Sequence, residues 1–232
     1  DDNFATIVKA VKEGRTIYDN IRKFIQYTMA SNAGEIYVML LAPFIGLGFP
    51  LTALQILWVN LVTDGLPGLA LGVEQTEREA MKRPPYLPDE SVFSRGLGWR
   101  IAWSGLLMGL VSLGMGYWAF SQGFAHWQTM VFTTLTLSPM GNALAIRSYQ
   151  DSTFKIGFFS NRSMIAAVAL TFVLQMLVVY WAPLQNLFET QALPLPELLI
   201  SLAFSSLVFW AIEIEKWIQR RRNHQPVTAP IA

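Results

Sequence analysis

Six long apolar segments, separated by polar stretches, dominate this sequence of 232 residues. Each holds about 20 mainly apolar residues, the length that an α-helix needs to cross the hydrocarbon core of a bilayer. Only 14% of the residues are charged, whereas soluble domains carry about 25%. The sequence therefore predicts an all-α membrane protein with six transmembrane helices, preceded by a helical stalk. The predicted spans run from about Phe24 to Leu47, Leu51 to Val73, Leu97 to Phe120, Trp127 to Ile146, Met164 to Pro183 and Leu193 to Ile212.

The basic residues predict the orientation of these spans. All 17 Lys and Arg lie before the first span, or in and beside the segments that follow the second, the fourth and the sixth. The connections on the opposite face carry only Glu189 and Glu197 as charged residues. Because loops rich in Lys and Arg stay in the cytoplasm, both termini and both long loops are predicted to be cytoplasmic.

The chain has no cysteine, and its net charge is only +1. Without thiols it can form neither a disulfide nor a thiolate metal site, which argues against transport of soft metals through Cys pairs. The expected surroundings are a lipid bilayer, and no nucleic-acid partner is predicted.

Two carboxylates, Glu35 and Asp64, fall well inside predicted spans with no basic residue nearby in sequence. A charge at the bilayer centre costs roughly 2.5–3.5 kcal/mol on insertion scales, so such residues mark candidate functional sites. Asn32 precedes Glu35 by three residues and lies on the same helical face. Asn60 and Thr63 share a face with Asp64 in the same way. A short turn joins the two spans, so the two polar faces can meet.

This predicted set of side chains offers only oxygen ligands, which suit a hard cation such as calcium, or sodium at lower charge density. The Gly-Leu-Pro-Gly run at residues 65–68 follows directly. Pro67 lacks a backbone N–H, and we expect this run to loosen the helix. Transporters use such broken helices to coordinate ions. The alternative is that the polar side chains only hydrogen-bond and hold the two helices together.

Two stretches of the sequence carry a family resemblance. They are DDNFATIVKAVKEGRTIYDNIRKFIQYTMASNAGE at residues 1–35 and LWVNLVTDGLPGLALGVE at residues 57–74, and MKRPP at residues 81–85 extends the match. This pattern resembles P-type ATPases, in particular the calcium pumps of the sarcoplasmic-reticulum kind and their bacterial relatives. The resemblance implies the C-terminal third of a pump, with helices five to ten of the ten-helix family.

The resemblance also implies roles for the intramembrane polar residues. Asn32 and Glu35 match the fifth-helix ion ligands of the family. Asn60, Thr63 and Asp64 match the sixth-helix ligands, among which Asp64 would be shared between two calcium sites.

One departure from the family concerns the eighth helix. The animal calcium pumps place a Glu there, whereas LTLSPMGNALAIRS puts Pro139 at the corresponding position. With that carboxylate lost, one calcium ion per cycle is predicted rather than two.

A division of the chain follows from the same resemblance. Residues 1–23 would form the end of the phosphorylation domain and the stalk, 24–73 the ion-binding helix pair, 74–96 a cytoplasmic loop, 97–212 four supporting transmembrane helices, and 213–232 a basic cytoplasmic tail. ATP and magnesium would bind in cytoplasmic domains of the remaining N-terminal part of the pump. The sequence contains no DKTGT phosphorylation segment, so this portion is not expected to be catalytic alone. The membrane would be the plasma (inner) membrane in a bacterium and an endomembrane in a eukaryote.

Other functions remain open from the sequence. A sodium, manganese or proton pump of the same family would use a similar ligand set. A gradient-driven secondary transporter or channel, and a catalytically inactive membrane-anchoring module, are alternatives from other classes.

Overall fold

The computed structural model describes residues 4–78, 80–87 and 89–223, without the side chains at positions 63, 64, 222 and 223. The predictions for Asp1 and Asp2 and for the tail from residue 224 onward lie outside the described residues. Within them the chain is all-helical, as predicted, and contains no strand. Its helices are α1 (Phe4–Leu41), α2 (Ala53–Val59), α3 (Gly65–Gly72), α4 (Leu97–Ser121), α5 (Trp127–Ala145), α6 (Thr153–Ile156), α7 (Arg162–Tyr180), α8 (Ala182–Phe188) and α9 (Leu195–Asn223).

Helix α1 joins the predicted stalk and the first predicted span without a break. Its 38 residues extend about 57 Å at 1.5 Å per residue. The helix tightens into a 3₁₀ turn at Ala42–Ile45 and ends at Gly46, whose φ is 84°. That left-handed conformation is open to glycine without steric cost. The polar and the apolar halves of α1 therefore form one continuous rod.

Four helical segments in the described part of the chain are long and apolar enough to cross a membrane, by length and composition. They are Ala53–Gly72, Leu97–Ser121, Arg162–Tyr180 and Leu195–Arg221. Helix α1 carries Asn32 and Glu35 in its apolar half, and α5 is rich in Thr and Ser, which lowers the hydropathy of both.

Helix α5 lies at the centre of the fold. Every residue from 129 to 140 is buried, and the helix packs against α9, α4, α7 and α1. Two of its hydroxyls bond to its own backbone: Thr136 Oγ1 donates to the carbonyl of Phe132 at 2.8 Å, and Ser138 Oγ to that of Thr134 at 2.7 Å. Such back-bonding satisfies buried hydroxyls, so the polar composition of α5 is compatible with burial.

Small residues on α4 form the packing face against α1, as their four-residue spacing predicts. A Cβ atom at Gly105 would lie 2.7 Å from the Ala33 Cβ and 2.9 Å from the Ala30 carbonyl oxygen. At Gly109 it would lie 2.8 Å from the Tyr37 Cβ. The two backbones approach too closely for any side chain here, and this contact fixes the stretch of α1 that contains Asn32 and Glu35.

Replacing Gly105 with alanine is expected to destabilise the protein by about 1–3 kcal/mol, the usual cost of overpacking. The added methyl group meets a backbone carbonyl and a Cβ, neither of which can rotate away. Gly114→Ala is the matched control, because a Cβ at Gly114 has no atom within 4 Å. Thermal unfolding of the intact protein in detergent provides the measurement, and equal melting temperatures for the two variants would contradict the packing argument.

The connection between α3 and α4 is hydrogen-bonded to the stalk. Arg15 Nη1 donates to the carbonyls of Ala80 at 2.6 Å and Arg83 at 2.8 Å. Asn20 Nδ2 donates to the Glu74 carbonyl at 2.8 Å, and Arg83 forms an ion pair with Asp19. The first half of this connection therefore lies along α1.

Candidate functional site

The second apolar segment contains a widened helical turn. A capping box starts α2, in which Gln55 N–H donates to Thr52 Oγ1 and Thr52 N–H to Gln55 Oε1. Residues Asn60–Asp64 then form one π-helical turn, and a regular α-helix resumes as α3 at Gly65. Such turns are rare and occur frequently at functional sites.

The sequence predicted a loosened helix at the Gly65–Gly68 run. The irregularity instead begins about one turn earlier, at Asn60. Proline is tolerated in the first turn of a helix, because an N–H there lacks an intrahelical partner. By restarting the helix at Gly65, the π turn makes Pro67 a first-turn residue of α3. The helix is therefore widened beside the predicted ligands instead of broken after them.

The structure brings two of the predicted ligands into contact across the helix pair. Asn60 Nδ2 donates to Glu35 Oε2 at 2.8 Å, and also to the carbonyl of Ile56 at 3.0 Å. The Glu35 side chain is buried, with 5% of the residue exposed. The two polar faces thus meet at Glu35 and Asn60.

The other three predicted ligands lie close by along the chain. Asn32 is partly buried on α1, three residues before Glu35. Thr63 and Asp64 end the π turn that Asn60 begins, but their side chains lie outside the described atoms. Among the side chains that the structure describes, no group of three or more His, Cys, Asp or Glu residues gathers. In the described part, the candidate site thus has one carboxylate and carboxamide groups.

The Asn60 amide has its donor side toward Glu35. In this arrangement the hydrogen bond from Asn60 stabilises the buried Glu35 carboxylate. A bound cation would instead stabilise it through its positive charge. Calcium binds only oxygen ligands. The amide must therefore turn by about 180° around its terminal torsion, which is broad and roughly two-fold, before Asn60 Oδ1 can bind a cation beside Glu35.

A second buried polar chain flanks the helix pair, and the sequence analysis missed it. Trp58 Nε1 donates to Gln175 Oε1 at 3.1 Å, and Gln175 Nε2 donates to Thr133 Oγ1 at 3.4 Å. Gln175 is fully buried on α7, so this chain ties α2 to α7 and α5. A lone Gln in an apolar helix was the available sequence signal.

Helix α5 also contacts the π turn. It continues through Pro139 and has no charged residue between Trp127 and Ala145. Asn142 is fully buried, and neither its Oδ1 nor its Nδ2 has a hydrogen-bond partner among the described residues. This helix therefore offers the site amide and hydroxyl groups, but no carboxylate.

A buried ion pair just after the end of α3 is the other feature that the sequence did not predict. Arg147 follows α5, and its Nε and Nη2 donate to both oxygens of Glu74 at 2.8 and 3.1 Å. Asn161 Nδ2 donates to the same carboxylate at 2.9 Å, and Lys23 Nζ donates to the Arg147 carbonyl at 2.7 Å. We call these four residues the Arg147 cluster. Opposite charges at the ends of two apolar segments were its only sequence signal.

Comparison with known proteins identifies a single family. The model for "Cation transporting ATPase, C-terminus" matches residues 48–218. A calcium-transporting ATPase of Bacillus subtilis is 45% identical over 210 residues, covering 89% of this chain and 24% of the relative. Calcium-transporting ATPase 1 of Schizosaccharomyces pombe is 38% identical over 225 residues, covering 96% of the chain and 25% of the relative.

A human relative, calcium-transporting ATPase type 2C member 1, is 33% identical over 235 residues, covering 96% of this chain and 24% of the relative. The chain thus spans about a quarter of the length of the curated relatives that it matches.

Proposed function

Because the chain belongs to the cation-transporting P-type ATPases, as part of their C-terminal membrane region, we propose that it carries the ion-binding helix pair of a calcium pump. The intact protein would export calcium from the cytoplasm at the expense of ATP. The contact between Glu35 and Asn60, at the widened turn of an apolar helix, carries this proposal. Transport requires a site that can exchange an internal hydrogen bond for an ion.

The proposed calcium ligands are Asn32, Glu35, Asn60, Thr63 and Asp64. Calcium takes six to eight oxygen ligands in flexible geometry, which two carboxylates, amide oxygens and a hydroxyl can supply. Pro67 has no N–H to give to the carbonyl of Thr63, four residues earlier, so backbone oxygens at the π turn are further candidates.

A six-span topology with both termini in the cytoplasm remains our proposal. Its support is the clustering of all 17 basic residues at one face and the burial of α5, which hides that helix's polar groups from lipid. The proposed regions are residues 1–23, 24–73, 74–96, 97–212 and 213–232, as the sequence indicates. ATP and magnesium would bind in the remaining N-terminal part of the pump, joined to the site through α1. The membrane would be the plasma membrane of a bacterium or a eukaryotic endomembrane.

We further propose one calcium ion per cycle. The Pro139 position of α5 supplies no carboxylate, and that helix contacts the π turn. Equilibrium calcium binding to the intact pump should therefore give one ion per phosphorylation site. Two ions per site would overturn this stoichiometry and leave the calcium assignment intact.

ATP hydrolysis by the intact pump, measured against calcium, manganese, sodium and potassium, tests the function itself. We expect stimulation by calcium, and loss of that stimulation in Asp64→Asn. Glu189→Gln is the matched control, because Glu189 is exposed and far along the chain from the site. Stimulation by sodium or manganese but not by calcium would indicate a sodium or manganese pump. ATP hydrolysis that depends on pH but on none of the four ions would indicate a proton pump. Absence of ATP hydrolysis with intact gradient-driven transport would establish a secondary transporter.

A further inference from the structure

A large cavity opens beside the start of α4, bounded by α1, the segment after α5 and the end of α9. Its volume is about 600 Å³, and its lining includes seven Lys or Arg residues but only one carboxylate, Asp151. We call it the basic cavity; Arg22, Arg100 and Arg220 are the members on which the argument rests. It shares no residue with the proposed calcium site.

Four of the seven cations have carboxylate partners. Asp151 accepts from Lys155 at 2.6 Å and lies 3.5 Å from Arg78. Arg95 donates to Glu90 at 2.8 Å, which lowers the pKa of the Glu90 carboxyl to about 2. Lys216 forms an ion pair with Glu213. These pairs account for part of the positive charge and leave three guanidinium groups.

The remaining three guanidinium groups have only neutral partners within the described structure. Arg22 Nη2 donates to the Ser94 carbonyl at 2.6 Å, and Arg220 Nη1 donates to the Gln150 carbonyl at 3.0 Å. The Arg100 guanidinium lies 4.4 Å from the centre of the Tyr149 ring.

Two polar atoms of the cavity lining lack any hydrogen-bond partner in the described structure. They are Nη1 of Arg22, a residue that is only 4% exposed, and the hydroxyl of Tyr149. Leaving a buried donor unsatisfied is unfavourable, and more so for a charged group. Both atoms are closed to solvent, so a ligand in the cavity would meet the accessible parts of the three guanidinium groups, whose charge without a carboxylate partner indicates an anionic ligand.

A narrow slot of about 30 Å³ adjoins the basic cavity between α4 and α9. It shares Arg100, Tyr149, Lys216 and Gln219 with the basic cavity, and its lining also includes Trp103, Ile212 and one carboxylate, Glu215. Trp99 and Trp217, on the same two helices, are 70% and 47% exposed. Tryptophan is enriched at the membrane–water interface. The slot is too small for an acyl chain, so the cationic cavity beside two exposed tryptophans is the feature that fits an anionic lipid headgroup at the membrane surface.

We propose that the basic cavity binds the phosphate headgroup of an anionic phospholipid at the membrane surface. Guanidinium groups match phosphate oxygens in bidentate geometry. Three arginines without carboxylate partners suit a headgroup that bears two phosphates. The lipid would connect the stalk to α4 and α9 at the membrane surface.

Lipid binding to the intact pump in phosphatidylcholine nanodiscs, with fluorescent cardiolipin as the probe, tests the proposal. The double variant Arg100→Gln and Arg220→Gln should weaken cardiolipin binding by about 30-fold, since each basic residue near an anionic surface contributes about fivefold. The matched control is Arg162→Gln with Arg221→Gln. Both control arginines are exposed and lie outside the basic cavity, and the net charge change is the same. Control binding should equal that of the wild type.

Equal losses in the two double variants would overturn the site, because they would indicate general attraction of a basic surface. If the cavity variant unfolds, the single change Arg220→Gln at the cavity rim should still weaken binding about fivefold. A parallel arm replaces the lipid by pyrophosphate. Stabilisation by pyrophosphate without cardiolipin binding would overturn the lipid as the source of the phosphate. The assay contains no calcium or ATP, so its outcome is independent of the proposed pump activity.

Discussion

Replacing Glu35 with glutamine should abolish calcium-stimulated ATP hydrolysis by the intact pump and weaken calcium binding by at least about 100-fold. Loss of an outer partner of a metal ligand alone typically costs 10–100-fold, and Glu35 is a proposed ligand with a full charge. Calcium-dependent phosphorylation of the purified pump provides the measurement. Glu189→Gln, the same chemical change on an exposed turn, should leave the calcium dependence unchanged.

The Glu35→Gln variant also distinguishes an ion site from a purely structural contact. Glutamine has nearly the same shape as glutamate, and its carbonyl oxygen can still accept the hydrogen bond from Asn60 Nδ2. The contact between α1 and the π turn should therefore persist, and the melting temperature in the absence of calcium should change little. Wild-type calcium dependence in this variant would mean that Glu35 and Asn60 only hold the two helices together.

A second comparison removes the contact and keeps the charge. Asn60→Ala leaves Glu35 buried without this donor, so it should lower both the thermal stability and the calcium affinity. A loss of stability in Asn60→Ala, combined with a loss of calcium binding alone in Glu35→Gln, would separate the two roles of the pair.

Most of the helical architecture was predictable from the sequence because its causes are local. Spacing of apolar residues located α4, α5 and α7 to within a few residues of their observed ends. The charge of Glu35 in an apolar segment indicated the candidate site, because a carboxylate in a predicted span has few structural explanations. The family resemblance, carried by residues 1–35 and 57–74, was confirmed by comparison with known proteins.

Features that depend on distant residues were not predictable. The π turn at Asn60–Asp64 depends on packing against α1, α5 and α7, whereas Gly and Pro residues predicted a disruption one turn later. The basic cavity joins residues as far apart as Arg22 and Arg220, and no local pattern indicates that they converge.

The Arg147 cluster also depends on residues that are distant in sequence. Among the variants proposed here, those that disrupt it should lose the most stability. Arg147 is 1% exposed and uses all five of its donors: besides Glu74, it bonds to the carbonyls of Gly157 and Phe158 and to Ser160 Oγ. It therefore connects the end of α3, the end of α5 and the segment before α7.

Arg147→Met should destabilise the protein by about 3–5 kcal/mol, because removing one member of a buried ion pair leaves the other charge without compensation. Glu74 would then retain only Asn161 as a side-chain partner within the cluster. Thermal unfolding of the intact pump measures the effect. Arg78→Gln is the matched control: its side chain is 65% exposed and 3.5 Å from Asp151, and exposed pairs contribute only about 0–1 kcal/mol.

The double variant Glu74→Gln with Arg147→Met should be more stable than Arg147→Met alone, although it removes a further native charge. With both charges gone, the remaining cost is that of imperfectly matched polar groups rather than of an uncompensated carboxylate. A double variant that is less stable than Arg147→Met would show that packing of the arginine, and not its charge, holds α3, α5 and α7 together. Partial recovery would assign the stability to the ion pair, and with it the anchoring of α3, which begins directly after the proposed ligand Asp64.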